Sequence, residues 1–175
     1  LGSLRVRQDY MIAQGLLSPF KTEPLNEDEM LKMSLERLEQ LSAHEVGHTL
    51  GLMHNYAAST VNRSSVMDYP HPVITVNKNG KIDLSDAYDH KIGEWDKVAI
   101  KWGYSDLRNE KNETDVLDKI LKDAAAVGLK FISDRDARAA GGLHPDAHLW
   151  DNGKDILSEY DNVLNVRSKA LSQFG

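Results

Sequence analysis

From Leu4 to Leu17 apolar residues return at helical intervals, and Ser18-Pro19 closes the run, so the pattern predicts a first helix followed by a loop through Pro24. Asn26 can cap the next turn, and Glu27, Asp28 and Glu29 stand where a helix N-terminus favours negative charge. Leu31, Leu35, Leu38 and Leu41 then recur every three or four residues, and nothing interrupts the helical period before Gly51. Residues 55–72 are rich in Asn, Ser and Pro and read as irregular. Beyond them VITV and KIDL flank Asn79-Gly80, the pattern of a short hairpin. Trp95, Val98, Ala99 and Trp102 mark one face of a helix stopped by Gly103, a face that reads as core. Asn112 with Asp115 opens another helix that ends at Gly128. Ile156, Tyr160, Val163, Leu164, Arg167 and Leu171 mark a last long helix, preceded by GGLHPDAHLWDNG, a connection long enough to carry function. The expected fold is mainly α (α+β), with one small hairpin and a helical C-terminal part.

Composition changes this picture little. The 175 residues suit a single domain spanning 1–175 with a real core, and no apolar run approaches the ~18 residues of a membrane-spanning helix. A formal net charge of -6, with no Lys/Arg-rich stripe, argues against a nucleic-acid partner. The absence of Cys excludes disulfides, thiolate metal sites and a cysteine nucleophile, so any metal must be held by His and carboxylates. The opening LGSLRVRQDYM has neither an initiator Met nor a secretory apolar region. The expectation is a mature or excised segment, continuous with further sequence on both sides.

The densest chemistry lies in HEVGHTLGLMH, residues 44–54. Positions four apart on a helix differ by only ~40°, so His44 and His48 project from one face and can reach one ion. Gly51 tolerates the left-handed backbone that ends a helix, which lets the chain turn and return His54 to the same ion. Three imidazoles leave a fourth zinc position open to water, and Glu45 flanks the pair where a base for that water belongs. With 7 His, 12 Gly and 10 Glu in the chain, the full spacing arises by chance about four times in a hundred thousand such sequences. An accidental pair of surface or core histidines is therefore a poor explanation.

H-E-x-x-H-x-x-G-x-x-H resembles the motif of the metzincins, zinc endopeptidases in which a Met-containing turn follows beneath the metal. SSVMDYP supplies Met67, thirteen residues after His54, as the counterpart of that turn, with Tyr69 two residues on. The resemblance implies that Tyr69 lies near the zinc and binds it or stabilises the transition state. QGLLSPF, GEWDKVAIKWGY, ISDRDA and HPDAHLWDNG extend the likeness to large bacterial zinc-dependent peptidases. The chain departs from the pattern in one respect: metzincins place a twisted sheet before the active-site helix, whereas the 43 residues before His44 read as helix and loop. The sheet is expected to be absent from this chain: either it belongs to sequence upstream, and the chain is the metal-bearing part of a larger catalytic domain, or this version is built differently.

What the resemblance implies is a zinc-dependent endopeptidase (a hydrolase) acting on protein or peptide outside the cytoplasm, whether periplasmic, cell-surface or secreted. His44, His48 and His54 would hold Zn²⁺, and Glu45 would serve as general base toward the zinc-bound water. The alternative is a zinc-stabilised binding or scaffold module without catalytic activity. A metal-free helical interaction domain is a third reading, supported only by helix content. Weaker features have blander explanations. His144 and His148 stand four apart but lack a following Glu, and Pro145 restricts the helix that would align them. Asn77 to Asp86 read as a hairpin turn rather than a calcium loop, and Asp134 and Asp136 as solvated acids in a polar loop.

Overall fold

The computed structural model describes residues 2–17, 27–137, 140–141, 144–147 and 149–173. Among them lie six α-helices: α1 Gly2–Leu17, α2 Glu27–Thr49, α3 Glu94–Tyr104, α4 Glu113–Ala126, α5 Asp134–Ala137 and α6 Ile156–Leu171. The described strands are β1 Thr75–Val76 and β2 Ile82–Asp83, an antiparallel pair in which Thr75 faces Asp83 and Val76 faces Ile82. The mainly helical fold with one hairpin is as the sequence pattern predicts. No described helix is long and apolar enough to cross a membrane. The proposed capping role of Asn26 lies outside the described residues.

The chain falls into two compact units, residues 1–42, 71–90 and 155–175, and residues 43–70 and 91–154. In the first, α6 packs against the hairpin and α1, and its Asn162 donates to the carbonyl of Ile74 at 3.0 Å. Asp155 caps α6 by accepting from the amides of Leu157 and Ser158. The core of this unit is Ala13, Met30, Met33, Leu84, Ala87 and Tyr88. Asn77 closes the hairpin, its side-chain oxygen accepting from the amides of Asn79 and Lys81, and Gly80 takes the left-handed φ of 70°.

The leucine row of α2 does not form the buried face. Leu31, Leu35 and Leu38 are exposed, while Met30, Met33, Arg37 and Gln40 are buried. Pairing makes this possible: Arg37 lies 3.8 Å from Asp9 and above the Tyr88 ring, Tyr88 donates to Asp9 at 2.8 Å, and Arg37 donates to Gln40. Buried charge is tolerated when it is paired in this way, and a hydrophobic pattern cannot announce it. The α6 face departs similarly, with Val166 and Ala170 buried but Ile156, Tyr160, Val163, Leu164 and Leu171 exposed.

In the second unit α3 packs on α4. Helix α3 continues through Gly103 to Tyr104, and Trp102 at its end is exposed, contrary to the core role expected of it. Trp95 is half-buried and stacks on Phe131 with ring centroids 5.2 Å apart. The start of α3 is pressed against residues 64–66. Asp96, itself buried, accepts from Gly93 N (2.7 Å), Val66 N (2.9 Å) and the Ser65 hydroxyl (2.5 Å), and Trp95 N donates to the carbonyl of Ser64 at 2.8 Å. This approach requires glycine at position 93, because a Cβ there would stand 2.0 Å from the Ser64 carbonyl oxygen. Backbone cannot yield as a flexible side chain can, so Gly93→Ala is expected to cost at least about 3 kcal/mol, read as a lowered midpoint in urea unfolding. An unchanged midpoint would show that this contact can open freely.

Candidate metal centre

The end of α2 builds the site locally. Leu52 N donates to Gly47 O and Gly51 N to His48 O, both at 3.0 Å, the paired bonds of a Schellman ending. Gly51 takes the left-handed conformation this requires, with φ of 81°. The chain therefore reverses directly after the helix and brings His54 back against its last turn. The ligand atoms of His44, His48 and His54 all lie within 4.8 Å of one another.

Each ring is held by its other nitrogen. His44 Nδ1 meets the carbonyl oxygen of Val66 at 2.7 Å, His48 Nδ1 that of Leu52 at 3.0 Å, and His54 Nδ1 a carboxylate oxygen of Asp134 at 2.7 Å. These partners can only accept, so each Nδ1 carries the proton and each Nε2 presents a lone pair. His44 Nε2 is buried without a hydrogen-bond partner, and His48 Nε2 faces His54 Nε2 at 3.1 Å. Two proton-free nitrogens that close repel unless a cation lies between them. The separation approaches the ~3.3 Å that ~2.0–2.1 Å bonds impose on neighbouring nitrogens around a tetrahedral ion. Three neutral imidazoles suit a first-row transition ion rather than calcium or magnesium, which take oxygen ligands. The residues present thus fit a bound metal.

Burial pushes the pKa of His44 below its ordinary 6.5; the carbonyl of Val66 works against this, and the positive charge that His48 and His54 can carry adds to the lowering. A ring kept neutral at pH 7 keeps its lone pair available. Met67 is almost fully buried against the same turn, and a Cβ on Gly47 would stand 2.3 Å from its sulfur, so the glycine within the motif admits the methionine. Glu45 is exposed, its side chain without a hydrogen bond among the described residues, and its charge acts on His44. The ring of Tyr69 lies 5.0 Å from that of His44 and 4.9 Å from that of His54, centroid to centroid. All six residues singled out from the sequence thus fall in one unit and around one turn.

The sequence did not reveal what supports them. Val66 is held from both sides, its amide by Asp96 and its carbonyl by His44. Asp134, read as a solvated acid, instead pairs with His54 and accepts from the Tyr56 hydroxyl at 2.9 Å. Trp150, in a left-handed conformation rare for a bulky residue (φ 62°), donates its amide to Tyr69 O and packs its ring 5.2 Å from the Tyr69 ring. His144 accepts from the amide of Asp146, and His148, its suggested partner, lies outside the described residues.

Asp68, between Met67 and Tyr69, is buried, and burial pushes its pKa up to about 7, with the charge of Asp151 adding to the effect. The folded chain therefore holds this proton more tightly than the unfolded chain, whose carboxyl has the ordinary 3.8. Stability from this group is fully present below about pH 4 and is lost as pH rises toward about 7, by at most roughly 4 kcal/mol. In zinc-free buffer, the Tm of Asp68→Asn relative to wild type is expected to climb across that interval. Parallel Tm profiles would contradict it.

These features define a three-histidine site of the H-E-x-x-H class whose side chains fit a metal ion. The Met-zincin family model matches residues 26–175, most of the chain, and the chain belongs to the Met-zincin family, which is of metallopeptidase type. No curated protein and no solved structure matches it.

Proposed function

We propose that the protein is a zinc-dependent endopeptidase acting on protein or peptide outside the cytoplasm. The observation that carries this reading is the convergence of three Nε2 lone pairs, each Nδ1 committed to an oxygen acceptor, beside a solvent-facing glutamate. His44, His48 and His54 would hold the zinc ion, which would supply Lewis acidity and lower the pKa of water at the site toward neutrality. The remaining chemistry belongs to the chain. Glu45, free of competing hydrogen bonds among the described residues, takes the proton of the attacking water and delivers it to the departing amine nitrogen. The Tyr69 hydroxyl donates to the oxyanion that develops as the carbonyl carbon becomes tetrahedral, its ring packed against that of Trp150. Met67 fills the floor behind the helix turn and keeps water from it.

The test is hydrolysis of an unfolded protein substrate by zinc-loaded protein, with a chelator-treated sample as control. One zinc per chain with cleavage that disappears on chelation and returns with zinc supports the proposal. Stoichiometric zinc without cleavage would leave a binding module, and the endopeptidase reading would be abandoned.

A further inference from the structure

We infer that Asp134, braced by Tyr56, is a positioning residue for His54 that fixes which ring nitrogen faces the metal and makes metal capture depend on docking of the 130–134 segment. The inference rests on the three-histidine reading above and extends it to a residue 80 positions away in the chain.

The three residues His54, Asn55 and Tyr56 divide the work. Asn55, fully buried, donates its side-chain amide to Lys130 O at 2.9 Å and accepts from Ile132 N at 3.1 Å. Tyr56, also fully buried, donates its backbone amide to Ile132 O at 2.8 Å. These bonds fix residues 130–132 beside the chain that has just left the metal site. Asp134 follows two residues on, where one carboxylate oxygen reaches His54 Nδ1 at 2.7 Å and the other accepts from the Tyr56 hydroxyl at 2.9 Å. The Tyr56 hydroxyl lies 3.2 Å from the same His54 nitrogen. The carboxylate is thereby aimed by a buried phenol instead of rotating freely.

His54 differs here from its two companions. His44 and His48 are oriented by neutral backbone carbonyls, whereas His54 is oriented by a charged carboxylate. A charged acceptor makes a stronger hydrogen bond and leaves the far nitrogen more basic, and so a better metal ligand. His54 also has the greatest need of it. The helix sets the other two rings, while His54 sits on irregular chain beyond Gly51. The competing explanation is that Asp134 only supplies negative charge to the first turn of α5, a role its neighbour Asp136 shares.

Histidine ¹⁵N shifts of the zinc-free protein and zinc affinity from chelator competition separate these explanations. In wild type, His54 should be the Nδ1–H tautomer. Asp134→Ala is expected to give a tautomer mixture and to weaken zinc binding about 10–100-fold, while Asp136→Ala leaves both unchanged. Asp134→Asn, which keeps the shape without the charge, and Tyr56→Phe should each lose less, in the same direction. Unaltered tautomer and affinity within twofold of wild type in Asp134→Ala would overturn the inference, as would an equal loss in Asp136→Ala. Should Asp134→Ala not fold, Asp134→Asn decides: affinity within twofold of wild type overturns it. If wild type binds no zinc, the endopeptidase reading falls, and the His54 tautomer in the zinc-free variants still judges the positioning role.

Discussion

Glu45→Gln is expected to lower peptide hydrolysis by about 10²–10⁴-fold while the protein keeps one zinc per chain. The substitution preserves size and shape but removes the ability to accept a proton. The Glu45 side chain is exposed and has no hydrogen bond among the described residues, so its loss should leave the fold and the three imidazoles unaltered. Because the carboxylate acts on the reacting proton and not on substrate binding, the loss should appear in kcat with KM little changed. Turnover within a few-fold of wild type would remove Glu45 from the role of base. A loss of zinc in the same variant would show that it holds the ion or its surroundings.

His44→Ala is expected to abolish stoichiometric zinc binding and also to destabilise the zinc-free fold. His44 is the buried member of the triad, with 1% of its surface exposed, and its Nδ1 proton satisfies the carbonyl of Val66. Truncation leaves a cavity and removes the hydrogen bond to Val66, together costing roughly 3 kcal/mol or more. The metal-linked term is larger: structural zinc contributes ~10–16 kcal/mol in small peptides, and even modest affinity raises Tm through mass action. Wild type should therefore show a large rise in Tm on adding zinc, and His44→Ala none. His48→Ala, whose ring is more open to solvent, should lose the zinc response with a smaller loss of zinc-free stability. A zinc-induced rise that persists in His44→Ala would place the ion elsewhere.

What could be read from the sequence was local. His44, His48, Gly51 and His54 are related by one helix and the turn that ends it, so spacing alone specifies their geometry, and the left-handed Gly51 is where that spacing requires it. The hairpin at Asn79-Gly80 and the left-handed Gly128 after α4 follow from the same short-range chemistry. What the sequence concealed depends on distant contacts. The acceptors that orient His44 and His48 are backbone carbonyls, which every residue has, and Asp134 reaches His54 across 80 positions. The outward leucines of α2 are a further case. Periodicity established a helix, but a buried Arg37–Asp9–Tyr88 cluster occupies the face that a hydrophobic pattern would have assigned to solvent.

The most direct measurement is an anomalous difference map from crystals of zinc-loaded protein, recorded across the zinc absorption edge. The account predicts one strong peak about 2.0–2.1 Å from the Nε2 atoms of His44, His48 and His54, with every Nδ1 still bonded to its oxygen partner. A peak bound through an Nδ1 atom, or the absence of any peak among the three rings, would contradict it.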